Sequence, residues 1–144
     1  MGEAKELGQR WFDAVSAGDA AGAAALLADD LDFQASGAVV SSPEEAVGFV
    51  TAYTTGFPDS SFDVSLWVES GDDIAVCEGV WRGTNTGPMA TPQGEMPATG
   101  KAVAVPFTTV FEARDGKLTA HRAYWDNAGF MMQIGLMPAP EGAA

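Results

Sequence analysis

From Phe62 to Asp126 the chain reads as strand after strand, with no helical stretch between them. Phe62 to Glu69 alternates apolar and polar residues, and Gly71-Asp72-Asp73 marks a turn. Ile74 to Thr86 is a second long strand, and Thr86 to Gly100 is a Gly/Pro/Met segment too irregular for a regular element. Ala102 to Ala113 follows, then the hairpin signal Arg114-Asp115-Gly116-Lys117, then Leu118 to Asp126. Strands joined by turns rather than by crossover helices pair antiparallel. That half of the chain is therefore a meander.

The first half has the other periodicity. Leu7, Trp11, Ala14 and Val15 recur at 3–4 spacing within a helix over 3–17, which Gly18 ends. Asp19 caps a second helix, Ala20 to Ala28, and Asp29-Asp30 breaks into a strand, Leu31 to Ala35. Ser42 as N-cap, Pro43 at the first helical position and Glu45 three residues after the cap start a third helix. Val47, Phe49, Val50 and Tyr53 or Thr54 lie along it, and Gly56-Phe57-Pro58-Asp59 stops it. Asp126 or Asn127 caps a last short helix that ends at Gly135, and the tail Met137-Pro138-Ala139-Pro140 is loose. The expected class is α+β: three N-terminal helices packed on one face of a curved, mainly antiparallel sheet, as a cone-shaped α+β barrel. No repeat or linker divides residues 1–144, so one domain is expected.

Composition narrows the function classes. Hydrophobic content of 47% with four Trp and eight Phe supports a packed core. Twenty acidic against seven basic residues give a net charge of −13, which repels nucleic acid and anionic membrane surfaces. One cysteine and one histidine supply neither a disulfide nor a Cys/His metal cluster. The N-terminus has no apolar signal core and no run reaches the length of a membrane span, which reads as a cytoplasmic protein. No nucleotide, flavin or metal motif is present, so no cofactor and no metal are expected.

Certain segments carry a family resemblance when taken in order. They are Trp11-Phe12-Asp13-Ala14-Val15-Ser16-Ala17-Gly18-Asp19, Phe57-Pro58-Asp59, Gly71-Asp72, Gly83-Thr84-Asn85-Thr86-Gly87, Pro97-Ala98-Thr99-Gly100-Lys101, Asp115-Gly116-Lys117-Leu118 and Gln133-Ile134-Gly135. With them the chain resembles the SnoaL-like polyketide cyclases of the nuclear transport factor 2-like superfamily, over nearly its whole length. The resemblance implies a single SnoaL-like domain acting in secondary metabolism such as antibiotic biosynthesis, commonly as a homodimer. It also implies a His-x-Asp triplet on the last strand whose Asp is the general acid/base. Here the triplet is His121-Arg122-Ala123, and alanine moves no proton. The chain also looks like limonene-epoxide-hydrolase-type members over Arg122 to Asp126. The three water-activating positions of that group fall on Gly79, Trp81 and Ala123, and none has a polar group.

The resemblance also says which strand face lines the cavity. Since the family's catalytic position matches Ala123, the inward set on the last strand is Thr119, His121, Ala123 and Trp125. The same parity gives Cys77, Gly79 and Trp81 on one strand, and Val105, Phe107 and Thr109 on another. Trp11 and Val15 share a helix face, and Phe33, Phe49 and Tyr53 join them. Such a lining suits a small apolar polyketide-like substrate held by area and stacking. Filling of the core is the alternative for the same residues.

His121 has two readings, a proton-transfer or carbonyl-polarising group and a structural residue hydrogen-bonded to a neighbouring element. Asp126 reads as a helix cap, Cys77 as an inert buried thiol, and Arg122 and Tyr124 as outward residues on the face a partner subunit covers. Met89, Met96, Met131, Met132 and Met137 read either as an adaptable mouth or as packing. The function expected is ring closure in an apolar polyketide or polyene, in its concrete form a cofactor-free pericyclic [4+2] cyclisation. Acid/base cyclisation or isomerisation through His121 and non-catalytic small-molecule binding are the alternatives.

Overall fold

A computed structural model describes residues 2–91 and 94–138 of the chain. Helix α1 (Glu3–Ser16) buries Ala4, Leu7, Gly8, Trp11, Phe12 and Val15 against the sheet. Its face is wider than the sequence spacing implied, because Phe12 turns inward beside Trp11. Gly18, at φ 70°, takes the left-handed conformation that closes the helix. Asp19 then caps α2 (Ala20–Ala25), its carboxylate accepting from the Gly22 N–H at 2.9 Å.

Helix α2 stops short of the Ala28 expected from its alanines. Strand β1 (Leu27–Ala35) begins there, four residues before the expected Leu31, because Leu27 pairs with Leu118 and the Leu118 N–H donates to the Leu26 carbonyl at 2.7 Å. Fixed pairing outweighs a helix propensity worth only tenths of a kcal/mol per residue. Asp29 and Asp30 lie where the β1 register shifts. A short β2 (Ala38–Val40), absent from the sequence reading, folds back on β1 through Ser36 and Gly37, at φ 45° and 98°. Helix α3 (Pro43–Gly56) starts as expected, with the Ser42 hydroxyl accepting from the Glu45 N–H at 3.2 Å.

The meander is β3 (Ser61–Ser70), β4 (Ile74–Thr84), then a ribbon of β5 (Met89–Thr91) and β6 (Gly94–Met96), then β7 (Ala102–Arg114) and β8 (Lys117–Trp125). The six long and flanking strands run in the order β2-β1-β8-β7-β4-β3, antiparallel except for β1 beside β8. The β7–β8 turn places Asp115 and Gly116 at φ 53° and 78°, the two left-handed central residues of a type I′ hairpin.

The β5–β6 ribbon corrects the expectation of an irregular segment over Thr86–Gly100, of which Pro92 and Gln93 lie outside the described residues. Asn85, fully buried, organises it. Its amide NH2 donates to the carbonyls of Gly56 (3.0 Å) and Gly87 (3.1 Å). Its Oδ1 accepts from the Thr99 N–H (2.8 Å) and hydroxyl (2.9 Å). Both donors and both acceptor sites of the amide are thus used. Gly87 must be glycine, since a Cβ there would stand 2.1 Å from the Thr55 carbonyl oxygen.

Helix α4 (Asn127–Gln133) closes the wide end. Asp126 caps it, accepting from the Gly129 N–H at 2.9 Å, and the Gln133 amide brackets Ala104 on β7, accepting from its N–H (2.7 Å) and donating to its carbonyl (3.0 Å). In the expected loose tail, Ala139 and Pro140 lie outside the described residues. On the outer sheet face Arg122 joins Asp32 of β1 (3.2 Å) to Glu112 of β7 (2.6 Å). Leu66, Val68 and Tyr124 are each about half exposed there, at 50%, 54% and 50%. Among the described residues no helix is long and apolar enough to cross a membrane.

Candidate active site

Between the helices and the inner sheet face lies a cavity of about 100 Å³. Its deep wall is buried and made by Trp11, Val15, Phe33, Thr109, His121 and Ala123; Phe49, Val50, Tyr53, Thr54, Phe62, Trp81 and Trp125 form a half-buried rim. Phe107 and Phe130 complete it from β7 and α4. None of the lining residues is Asp, Glu, Lys or Arg. The cone is therefore not solid, and its open part is smaller than the roughly 300–1,000 Å³ of drug-sized pockets.

The expected lining residues come together here with two corrections. Cys77 faces inward, as strand alternation requires, but stands in the core below the cavity, paired in register with Trp67 and Thr109. Burial pushes its thiol up to about 11, only partly offset by hydrogen bonds with Thr109, so it stays protonated. Thr119 also leaves the inward set. The β7–β8 register steps from Glu112–Ala120 to Ala113–Leu118, so Thr119 is the bulged residue and Leu118 takes the inward place. At the hydrolase-matched positions Trp81 and Ala123 line the cavity, while Gly79 lies against β3, where a Cβ would meet the Asp63 carbonyl oxygen at 2.5 Å.

Among the described residues no methionine lines the cavity. Met89 is buried in a satellite cluster with Phe57, Phe130 and Ile134, and Met96 and Met131 pack against that cluster. Among the residues missed from sequence, Phe12 and Phe62 pack with tilted rings at 4.8 Å, and Phe130 lies near Tyr53 and Trp81 at 5.9 Å each. Aromatic identity was the only signal for them.

His121 is the one imidazole in the chain and stands at the deep wall. It stacks on Phe33 (centroids 4.4 Å, 6°) and meets the edges of Trp11 (5.3 Å) and Phe111 (5.4 Å). Its Nδ1 is buried and has no hydrogen-bond partner. Burial pushes its pKa down to about 4, and the imidazole is neutral at pH 7. Burial likewise raises the Tyr53 pKa and keeps its phenol protonated. Among the described residues no three His, Cys, Asp or Glu side chains gather as a metal-binding group.

The sequence profile of the SnoaL-like domain matches residues 9–121. The chain belongs to the SnoaL-like domain family. A candidate SnoaL-like polyketide cyclase from Jannaschia sp. CCS1 superposes with a TM-score of 0.80 at 24% identity, covering 94% of each chain. AclR, a candidate hydroxylase from Streptomyces galilaeus, does so at 0.78 and 20%, covering 96% of this chain and 85% of its own. A nuclear transport factor 2-like protein of unknown function from Burkholderia pseudomallei K96243 gives 0.74 and 18%, covering 94% and 99%. No protein of curated function matches the chain. As a SnoaL-like domain it keeps the cone and lacks a carboxylate at Ala123, where the resemblance puts the family's acid/base group.

Proposed function

We propose that this SnoaL-like protein is a cofactor-independent cyclase that closes a ring in an apolar polyketide- or polyene-like substrate by confining it. One observation carries the reading: the cavity wall is aromatic, and its only titratable groups, His121 and Tyr53, are both held neutral by burial. Chemistry that moves no proton suits such a wall. In a [4+2] closure two σ bonds form as three π pairs rearrange, and no atom or electron leaves. Holding diene and alkene in contact lowers the barrier through orientation alone. Trp11, Trp81, Phe107 and Trp125 shape the chain, and its reacting segment sits in the cavity while the rest passes the rim.

The acid/base alternative is weaker on the same observation. A base whose conjugate acid has a pKa near 4 is far from the range that general-base catalysis favours at neutral pH. Non-catalytic binding is favoured by the small cavity volume, which suits a compact ligand. The discriminating experiment compares metabolites of the source organism with and without the gene. Accumulation of an isomer of equal mass, with a conjugated-diene absorbance that the normal product lacks, supports the cyclase. Unchanged turnover in Trp81→Ala would count against confinement. The half-exposed Leu66, Val68 and Tyr124 on the outer sheet face support, in addition, a homodimer through that face.

A further inference from the structure

Four residues of the cavity rim carry a polar side-chain atom: Tyr53, Thr54, Trp81 and Trp125. Two of these atoms are used within the protein. The Thr54 hydroxyl donates to the Thr51 carbonyl at 3.1 Å, and the Trp125 indole N–H donates to the Asn127 side-chain oxygen at 3.2 Å. The Tyr53 hydroxyl and the Trp81 indole N–H have no hydrogen-bond partner among the described residues. The Tyr53 ring meets the indoles of Trp81 and Trp125 nearly at right angles, at 6.0 Å and 6.2 Å, and lies 5.3 Å from Phe49 and 5.9 Å from Phe130. All four neighbours line the cavity. Two observations bracket the phenol oxygen. Burial raises its pKa, so the oxygen sits among these rings and not in bulk water. Nδ1 of His121 is the only fully buried side-chain polar atom without a partner among the described residues, so the Tyr53 oxygen, equally unpartnered, is not sealed in. It is desolvated yet reachable, on a side chain that lines the cavity.

We infer that Tyr53 is the polar anchor of this cavity, and that its O–H donates a hydrogen bond to a carbonyl oxygen of an otherwise apolar, uncharged ligand. The neighbouring Trp81 indole offers only a donor. A carbonyl oxygen has two lone pairs and no hydrogen of its own, so it suits both groups. A carboxylate does not, because no Lys or Arg lines the cavity to pair its charge. The inference rests on the reading of the cavity as a site of ring closure, and it names the substrate class: a polyene whose reacting alkene is conjugated to a carbonyl. A donor on that oxygen draws electron density from the alkene, and a donor fixed in a dry site stabilises the charge that gathers there in the transition state. Three π bonds become one π bond and two σ bonds, the proton stays on Tyr53, and nothing is oxidised, reduced or released.

The test uses acetophenone and α-methylstyrene, which differ only in C=O against C=CH2, as probes of the full-length protein, with binding followed by NMR titration. Tyr53→Phe removes the oxygen and keeps the ring. The expected result is that this substitution weakens acetophenone about tenfold, the scale of one satisfied hydrogen bond, and leaves α-methylstyrene within about twofold. In the unsubstituted protein the Cζ carbon of Tyr53, read by 13C labelling of the two tyrosines and told apart with Tyr124→Phe, shifts with acetophenone and not with α-methylstyrene. Unchanged acetophenone affinity in Tyr53→Phe, or an equal loss of both probes, overturns the anchor but leaves the cavity as a ligand site. Binding of neither probe to the unsubstituted protein overturns both. Failure of the cyclase reading shows separately, as an unchanged metabolite profile on loss of the gene. If Tyr53→Phe does not fold, the Cζ shift decides alone: moved by acetophenone only, it supports the anchor; unmoved, or moved equally by both probes, it overturns it.

Discussion

At the scale of single residues, burial rather than charge sets the behaviour of His121. Its folded pKa near 4 lies below the ordinary 6.5, so the unfolded chain binds the proton more readily. The neutral ring's contribution is complete above about pH 6.5 and is lost as the pH falls toward 4. The 2.5-unit gap corresponds to about 3 kcal/mol at most. Urea unfolding at pH 7 and pH 4.5 should therefore show a larger acid loss in the unsubstituted protein than in His121→Phe. Equal losses would mean that the imidazole is not buried as described. Asn85 makes a second prediction at this scale. In Asn85→Asp a carboxylate oxygen replaces the NH2 that faces the Gly56 and Gly87 carbonyls. A loss of roughly 3 kcal/mol or more in unfolding free energy is expected, from a buried charge set against two carbonyl oxygens, since only the Gly56 carbonyl keeps a second donor, the Gly87 N–H.

At the scale of elements, two irregularities decide which side chains face the cavity. The bulge at Thr119 exchanges one inward residue for another, and a second register shift between Val64 and Leu66 lies where β3 passes Gly79. Gly79 permits that approach, with the Asp63 oxygen 2.5 Å from where a Cβ would stand. Gly79→Ala should push β3 from β4 and cost about 2 kcal/mol or more, readable as a lower urea midpoint. At its far end helix α4 is tied to β7 by Gln133, which brackets Ala104, beside the buried Ile134. Gln133→Ala should leave global stability within about 1 kcal/mol while the Ala104 amide exchanges faster with solvent. Unchanged exchange at Ala104 would show that another contact holds the helix.

For the whole molecule, the outer sheet face sets an apolar patch against a strongly acidic background. If two copies meet through Leu66, Val68 and Tyr124, their −13 charges oppose the association and salt relieves it. Sedimentation equilibrium should show a dimer that tightens between low and moderate salt, and Val68→Glu should shift it to monomer. A monomer at every salt concentration would refute the outer-face dimer.

The class of the fold was legible without coordinates, because helical and strand periodicities are local and the order of elements leaves few packings. The caps at Ser42, Asp19 and Asp126 and the turn at Asp115-Gly116 were legible for the same reason: each is settled within four residues. Tertiary structure alone decided where α2 ends, since a bond from Leu118 reaches back across the chain to Leu26. It also decided that Cys77 lies below the cavity, that Thr119 drops out of the inward face, and that Phe12, Phe62 and Phe130 join the aromatic wall. Those outcomes depend on register and on contacts between distant elements, which periodicity does not carry. The unpartnered Nδ1 of His121 is of that kind too. The sequence could name the histidine, but only the packing of Trp11, Phe33 and Phe111 around it leaves that nitrogen without a partner.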